Sequence, residues 1–179
     1  MSWAAEESIT NTHYLKLGPF APYVGASLDV YRCPADHHLS KQQRARGFTA
    51  RVRSVSMNSN MGMYSETGGA GGQYRKMSQI QSPVHTFVLL DEHPDSINDG
   101  YYVPPDKLGA SWTDLPASYH NGAAGFAFAD GHSEIKRWQN ARTKLRVSTL
   151  DAAPWLGSIP MDQRQDSRWL GERSTPTLQ

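Results

Sequence analysis

Residues 120 to 132 read HNGAAGFAFADGH, and no other stretch of the chain constrains its fold as tightly. Phe126 to Ala129 is a short apolar run, Asp130-Gly131 a turn pair, and His132 to Trp138 a returning strand. An Asp-Gly step between β-compatible runs predicts a hairpin closed by a two-residue type I′ turn. Both central residues of such a turn take positive φ, and its twist matches that of the strands it joins. Side chains alternate across a strand, so Phe126 and Phe128 share one face and Ala127 and Ala129 the other. On the return strand Ile135 and the stem of Arg137 alternate with Glu134 and Lys136. The hairpin therefore has an aromatic side that must be covered.

Other segments supply strands and punctuation. Val84 to Leu90, VHTFVLL, is apolar, β-branched and of strand length, which predicts a central strand covered on both faces. Arg51 to Met57 reads as a second strand, and Ser27 to Arg32 as the first, closing where Cys33 precedes Pro34 and is pushed toward extended geometry. Asp36 to Ser40 reads as a turn. One helical turn is expected over residues 19 to 24, with Phe20, Tyr23 and Val24 packing beneath it, and another over Met77 to Ile80. The glycine-rich ETGGAGG before Gln73 lacks the Lys-Ser/Thr of a phosphate cradle and reads as a surface loop. Trp155 and Trp169 are expected packing anchors. These elements predict the α+β class: a mainly antiparallel sheet, loop-rich, with little helix. One domain over residues 1–179 is expected, with residues 1–10 and 174–179 frayed.

A formal net charge of +1 gives no electrostatic footprint for nucleic acid or an anionic membrane surface. The basic residues from Lys41 to Arg53 read as a solvated loop or edge. A single cysteine, Cys33, excludes an internal disulfide and leaves either a small buried residue or a partner for a cysteine upstream of this sequence.

Asp91-Glu92-His93 stands at the end of the apolar strand and carries the ingredients of metal binding or acid–base chemistry. In an extended chain Asp91 and His93 point one way and Glu92 the other, so at most two of the three converge. Asp95 to Asp106 imitates a calcium loop, but Ile97 and Asp106 occupy positions where an EF-hand needs an oxygen ligand and a closing Glu. His120 and Asp130 lie near opposite ends of one strand and are expected to be structural. His120 would tie down the loop that enters the strand, with Asn121-Gly122 as its turn, and Asp130 would set the hairpin tip. The competing expectation is a divalent-metal site, for calcium or another ion, drawn from Asp91, His93, His120, Asp130 and His132 and either stabilising loops or supporting hydrolysis. A third is carbohydrate stacking on exposed Tyr101, Tyr102 and Trp112.

Nine residues separate His120 from Asp130-Gly131, and the words around that pair fall in a familiar order. Tyr31-Arg32-Cys33-Pro34-Ala35-Asp36 looks like a CP-x-D element. Ser56-Met57-Asn58 is similar to a serine-to-asparagine segment, and the apolar run ending in Asp91-Glu92 follows. Trp112 to Tyr119 then leads into the motif, and Asp166 to Leu170 resembles a closing D-x-x-W-L. Together these resemble the prepilin-type proteins with an H-x9-D-G motif, relatives of pseudopilins and type IV pilins. The resemblance implies structural motif residues Cys33, Pro34, Asp36, Asn58, Asp91, Glu92, His120, Asp130 and Gly131 in a non-catalytic head domain. It implies partners among pilin-like subunits or secretion machinery, an extracytoplasmic location, and an upstream apolar helix that anchors in the inner membrane before assembly. Met1 to Ser40 holds no stretch near the roughly 18 to 20 apolar residues such a helix needs. The expectation is therefore a globular piece of a longer protein, with a helix-free relative as the other reading.

Overall fold

In the computed structural model, residues 11–25, 27–62, 74–149, 154 and 157–174 are described. Their framework is a five-stranded sheet in the order β3-β1-β2-β5-β6. The strands are β1 (Val55–Asn58), β2 (Phe87–Asp91), β3 (Tyr101–Tyr102), β5 (Ala123–Phe128) and β6 (Ser133–Arg137). Among the described strands of this sheet, β1 and β3 pair in parallel and the other pairs are antiparallel. A separate two-stranded ladder joins β4 (Ser111–Trp112) to β7 (Gly157–Ser158). The helices are short: α1 (His13–Lys16), α2 (Lys41–Ala45) and α3 (Gln165–Glu172). The fold is thus α+β, mostly sheet with little helix, and no helix among the described residues is long and apolar enough to cross a membrane.

The apolar run takes the middle of the sheet, paired on one edge with β1 and on the other with β5, as expected of a strand covered on both faces. Register then sorts residues between two faces. Ser56, Leu90 and Phe126 stand opposite one another on the inner face, as do Asn58 and Tyr102. Met57 with Leu89 and Ala127, Val55 with Asp91, and Gly125 with Ile135 lie on the outer face. Between Phe87 and Leu89 a bulge shifts the register. Val88 there joins a small cluster with Met57, Ala129, Met61, Tyr74 and Ile80.

The inner face carries the core. Phe126 meets Phe87, Trp138 and Trp169 edge-on at centroid distances of 5.4, 5.9 and 5.2 Å, and the ladder brings in Trp112, with Ile159 just beyond β7. Edge-to-face pairing of this kind adds to burial because ring edges and faces carry opposite partial charge. Helix α3 closes the layer with Leu170 and Trp169. Asp166 anchors it, accepting the backbone N–H groups of Gln139 (3.0 Å) and Asn140 (2.9 Å) just after β6. Gly171 lets the helix approach the backbone: a Cβ there would stand 2.1 Å from the carbonyl oxygen of Asp106.

Several expectations need correction. The hairpin forms, but its tip is not type I′. Gly131 has φ +94° while Asp130 stays out of the positive-φ region. Gly131 N–H bonds Phe128 O (3.0 Å) and Phe128 N–H bonds His132 O (2.9 Å). This is the three-residue loop in which only the last residue is left-handed. Two successive positive φ values occur instead at Asn121 (54°) and Gly122 (78°), the turn that leads into β5. The expected strand at Ser27–Arg32 is a 3-10 turn over Asp29–Tyr31, since Arg32 N–H closes locally on Asp29 O. Phe20 and Tyr23 do not pack under their turn; Tyr23 is 86% exposed. Pro83–His85 is a 3-10 turn, so the central strand starts at Phe87 rather than Val84. The second strand runs over Val55–Asn58 rather than Arg51–Met57. The turn after Cys33 closes by Asp36, where Asp36 N–H bonds Cys33 O (3.0 Å), earlier than the expected Asp36 to Ser40.

The basic segment is solvated at Lys41, Arg44 and Arg46, but it begins as helix α2, with Ser40 and Gln43 in a capping box, and Arg51 is buried. Tyr102 and Trp112 are buried at 0% and 3% exposure, which removes the exposed stacking platform. Ser174 does not fray, because it is buried and its carbonyl accepts the Asn58 and Asn60 side-chain amides. Residues 1–10, the glycine-rich loop, Trp155 and residues 175–179 lie outside the described residues.

Candidate functional site

Asp91 and Glu92 are adjacent in sequence and open to opposite faces of the sheet. Asp91, at the end of β2, turns outward beside the start of β5. Its Oδ2 accepts the Gly125 N–H at 2.9 Å and lies 3.1 Å from His120 Nε2. Residue 125 must be small here, since a Cβ would stand 2.8 Å from that oxygen. Burial raises the Asp91 pKa, opposed by the Gly125 N–H and the His120 ring.

Cys33 reaches the same point from the loop before α2. Its N–H bonds Ser54 Oγ (2.7 Å), and its Sγ accepts from Ala35 N–H (3.4 Å) and lies 3.1 Å from His120 Nε2. Burial pushes the thiol's pKa up. Tyr119 flanks the His120 ring, with centroids 5.4 Å apart. Asp36, two residues past Pro34, is fully buried against Arg51: Arg51 Nε donates to Asp36 Oδ2 at 3.1 Å, with a second, shorter contact from the guanidinium. That ion pair holds the Cys33 loop to the segment before β1.

On the inner side Glu92 is completely buried and accepts from Ser96 Oγ at 2.8 Å. Burial, then the nearby Asp114 carboxyl, pushes its pKa up to about 8, against the Ser56 and Ser96 hydroxyls and Arg53. Burial also lifts Asp114 to about 6.

Of the residues considered for a metal set, the structure brings together two separate pairs, Asp91 with His120 and Asp130 with His132. Both ring nitrogens of His93 are engaged, Nε2 with Leu145 O (3.1 Å) and Nδ1 with the Asp95 N–H (3.2 Å), and burial lowers its pKa. Asp130 and His132 pair with each other at the hairpin tip (2.6 Å), beyond the far end of β5 from His120, with His132 stacked on Phe128. The His132 hydrogen bonds lower the Asp130 pKa. His132 therefore does not reach Asp91 or His93. Asp95 accepts the Ser148 and Thr149 N–H groups (2.7 and 2.9 Å), one on each carboxylate oxygen.

Sequence reasoning missed Cys33 as a neighbour of this pair. The antiparallel match of Leu90 with Phe126 makes the meeting of Asp91 with the start of β5 derivable once the strands are paired. No spacing signal ties residue 33 to residues 91 and 120. Compared with protein-family models, with curated proteins and with solved structures, the chain matches none.

Proposed function

We propose that this chain is the globular head of a pilin-like or pseudopilin-like protein, a non-catalytic packing and presentation module of an extracytoplasmic filament or secretion assembly. The observation that carries the reading is the unequal covering of the sheet. Its inner face is sealed by aromatics and α3, whereas its outer face opens into a groove of about 990 Å³. Val55, Met57 and Leu89 floor the groove, and Leu15, Phe20 and Val24 wall it. A concave apolar strip on a sheet suits a helix, whose diameter with side chains is about 10 Å, laid across the strands. The resemblance implies such a helix upstream.

The motif residues agree with a scaffold role. Asn58 donates to Phe87 O (3.1 Å) and Ser174 O (3.2 Å), Asp36 pairs with Arg51, and Asp130 ties the hairpin tip. They cross-link segments far apart in sequence. Partners in this reading are other pilin-like subunits or assembly machinery, with the membrane reached only through the upstream helix.

The test is expression of the parent gene in a host with a prepilin peptidase, followed by fractionation and mass measurement of the N-terminus. A membrane-associated product with a processed N-terminus supports the reading. A parent gene encoding no upstream apolar helix, or a product left unprocessed, overturns it.

A further inference from the structure

Three segments far apart in sequence each deliver one donor atom to a single point. Cys33 Sγ, Asp91 Oδ2 and His120 Nε2 all lie within 4.8 Å of one another. Nε2 is 3.1 Å from the sulfur and 3.1 Å from the carboxylate oxygen. A ring nitrogen offers either one hydrogen or one lone pair, so it serves two equidistant neighbours poorly. A nucleophilic relay does not resolve this, because there the orienting acid sits on the ring nitrogen opposite the nucleophile. Here acid and thiol share one nitrogen. Three electron-pair donors converging from different chain segments are satisfied together by a cation.

We propose that Cys33, Asp91 and His120 form a binding site for a zinc ion. A thiolate–imidazole–carboxylate set suits a borderline-soft transition metal and not calcium or magnesium, which take oxygen ligands. Zinc bonds of about 2.0 to 2.3 Å in tetrahedral array set the donors roughly 3.3 to 3.6 Å apart. The 3.1 Å contacts open to that spacing by a few tenths of an ångström. Gly125 N–H fixes the Asp91 oxygen from behind, and Ala35 N–H supports the sulfur. Outer contacts of this kind orient ligands in built metal sites. The His120 side chain is 25% exposed, so the site is open on one side and water supplies the fourth ligand. Binding takes Cys33 as thiolate and releases its proton to solvent. The ion then staples the Cys33 loop to the end of β2 and to the turn before β5. This inference does not depend on the pilin-like reading and survives its failure.

The experiment titrates the purified full chain with Zn²⁺ against a chromophoric chelator, and with Co²⁺ under optical absorption. Expected are one ion per chain, a thiolate-to-cobalt charge-transfer band that Cys33→Ser removes, and Zn²⁺ affinity lowered about 10-fold or more in Cys33→Ser and Asp91→Asn. His132→Ala, at the hairpin tip, keeps the affinity of the parent. Absence of stoichiometric binding, undiminished binding in Cys33→Ser, or loss of binding in His132→Ala overturns the proposal. Should a variant unfold, the parent chain alone decides: Zn²⁺ slows alkylation of Cys33 by iodoacetamide about 10-fold or more, and a chelator restores the rate. An alkylation rate indifferent to Zn²⁺ overturns the site as well.

Discussion

The two faces of the sheet are built by different means. The inner face is closed by a continuous aromatic and aliphatic layer in which Phe126 alone meets four other rings. The outer face has few deeply buried apolar residues, and the loops beside it are held by polar struts: Asp36 on Arg51, Cys33 on Ser54, and His120 against Asp91. Apolar burial is non-directional and scales with area, whereas a strut works only in one geometry. Stability should therefore reside on the inner face and the placement of particular atoms on the outer one.

The largest expected break of this contrast is Phe126→Ala. Removing a fully packed ring leaves a cavity and should cost about 3 to 5 kcal/mol. Ile135→Ala, on the outer face and 67% exposed, should change stability by less than about 0.5 kcal/mol. Urea denaturation of both variants checks the pair, and equal losses would mean that the outer face is covered in solution. Next in size is Asp36→Asn. It removes the carboxylate charge that faces the buried Arg51 guanidinium, while the amide oxygen can still accept a hydrogen bond. A loss of about 3 kcal/mol is expected, at the lower end for a broken buried pair. The strut picture weakens if the variant keeps the parent's denaturation midpoint.

The same contrast governs what was legible in the sequence. Alternation of Phe126 and Phe128 against Ala127 revealed the inner face, because burial of one side imposes a period of two. The apolar run from Val84 revealed the central strand, though Pro83 diverts its first residues into a 3-10 turn. Remoteness of His120 from Asp130 followed from strand length alone. The outer-face site was hidden, since a loop cysteine can reach a strand end in many ways. Arg51 was misread because side-chain charge says nothing of a buried partner 15 residues earlier. Asp130-Gly131 misled in detail because an Asp-Gly step also fits a loop in which only the glycine is left-handed.

Neighbouring acids sharpen the comparison through pH. With a folded-state pKa of about 8, raised above the 4.5 usual for a glutamic acid, Glu92 keeps its proton where the unfolded chain has released it. Folding then takes up a proton. The stabilisation is complete below about pH 4.5 and is lost as pH rises through 8, at about 1 kcal/mol per pH unit. Asp114, raised to about 6, acts in the same sense over a lower window. Glu92→Gln imitates the protonated acid, so it should flatten this decline and raise the midpoint at pH 8 relative to the parent. Thermal melts from pH 5 to 8 measure it, and parallel profiles for the two proteins would show that Glu92 is ionised in the folded state.

The smallest effects belong to the hairpin tip, where the two ends of the H-x9-D-G motif part company. Gly131 sits at φ +94°, which side chains rarely adopt, with nothing within 4 Å of where a Cβ would stand. Gly131→Ala should therefore cost about 1 kcal/mol from backbone strain alone. His132→Ala removes an exposed pair with Asp130 and the stack on Phe128, and should move stability by no more than about 0.5 kcal/mol. Both variants should shift the urea midpoint without changing the slope, because neither alters how much surface unfolding exposes. A His132→Ala loss larger than that of Gly131→Ala would make the tip's imidazole–carboxylate pair, rather than its backbone turn, the element that closes the hairpin.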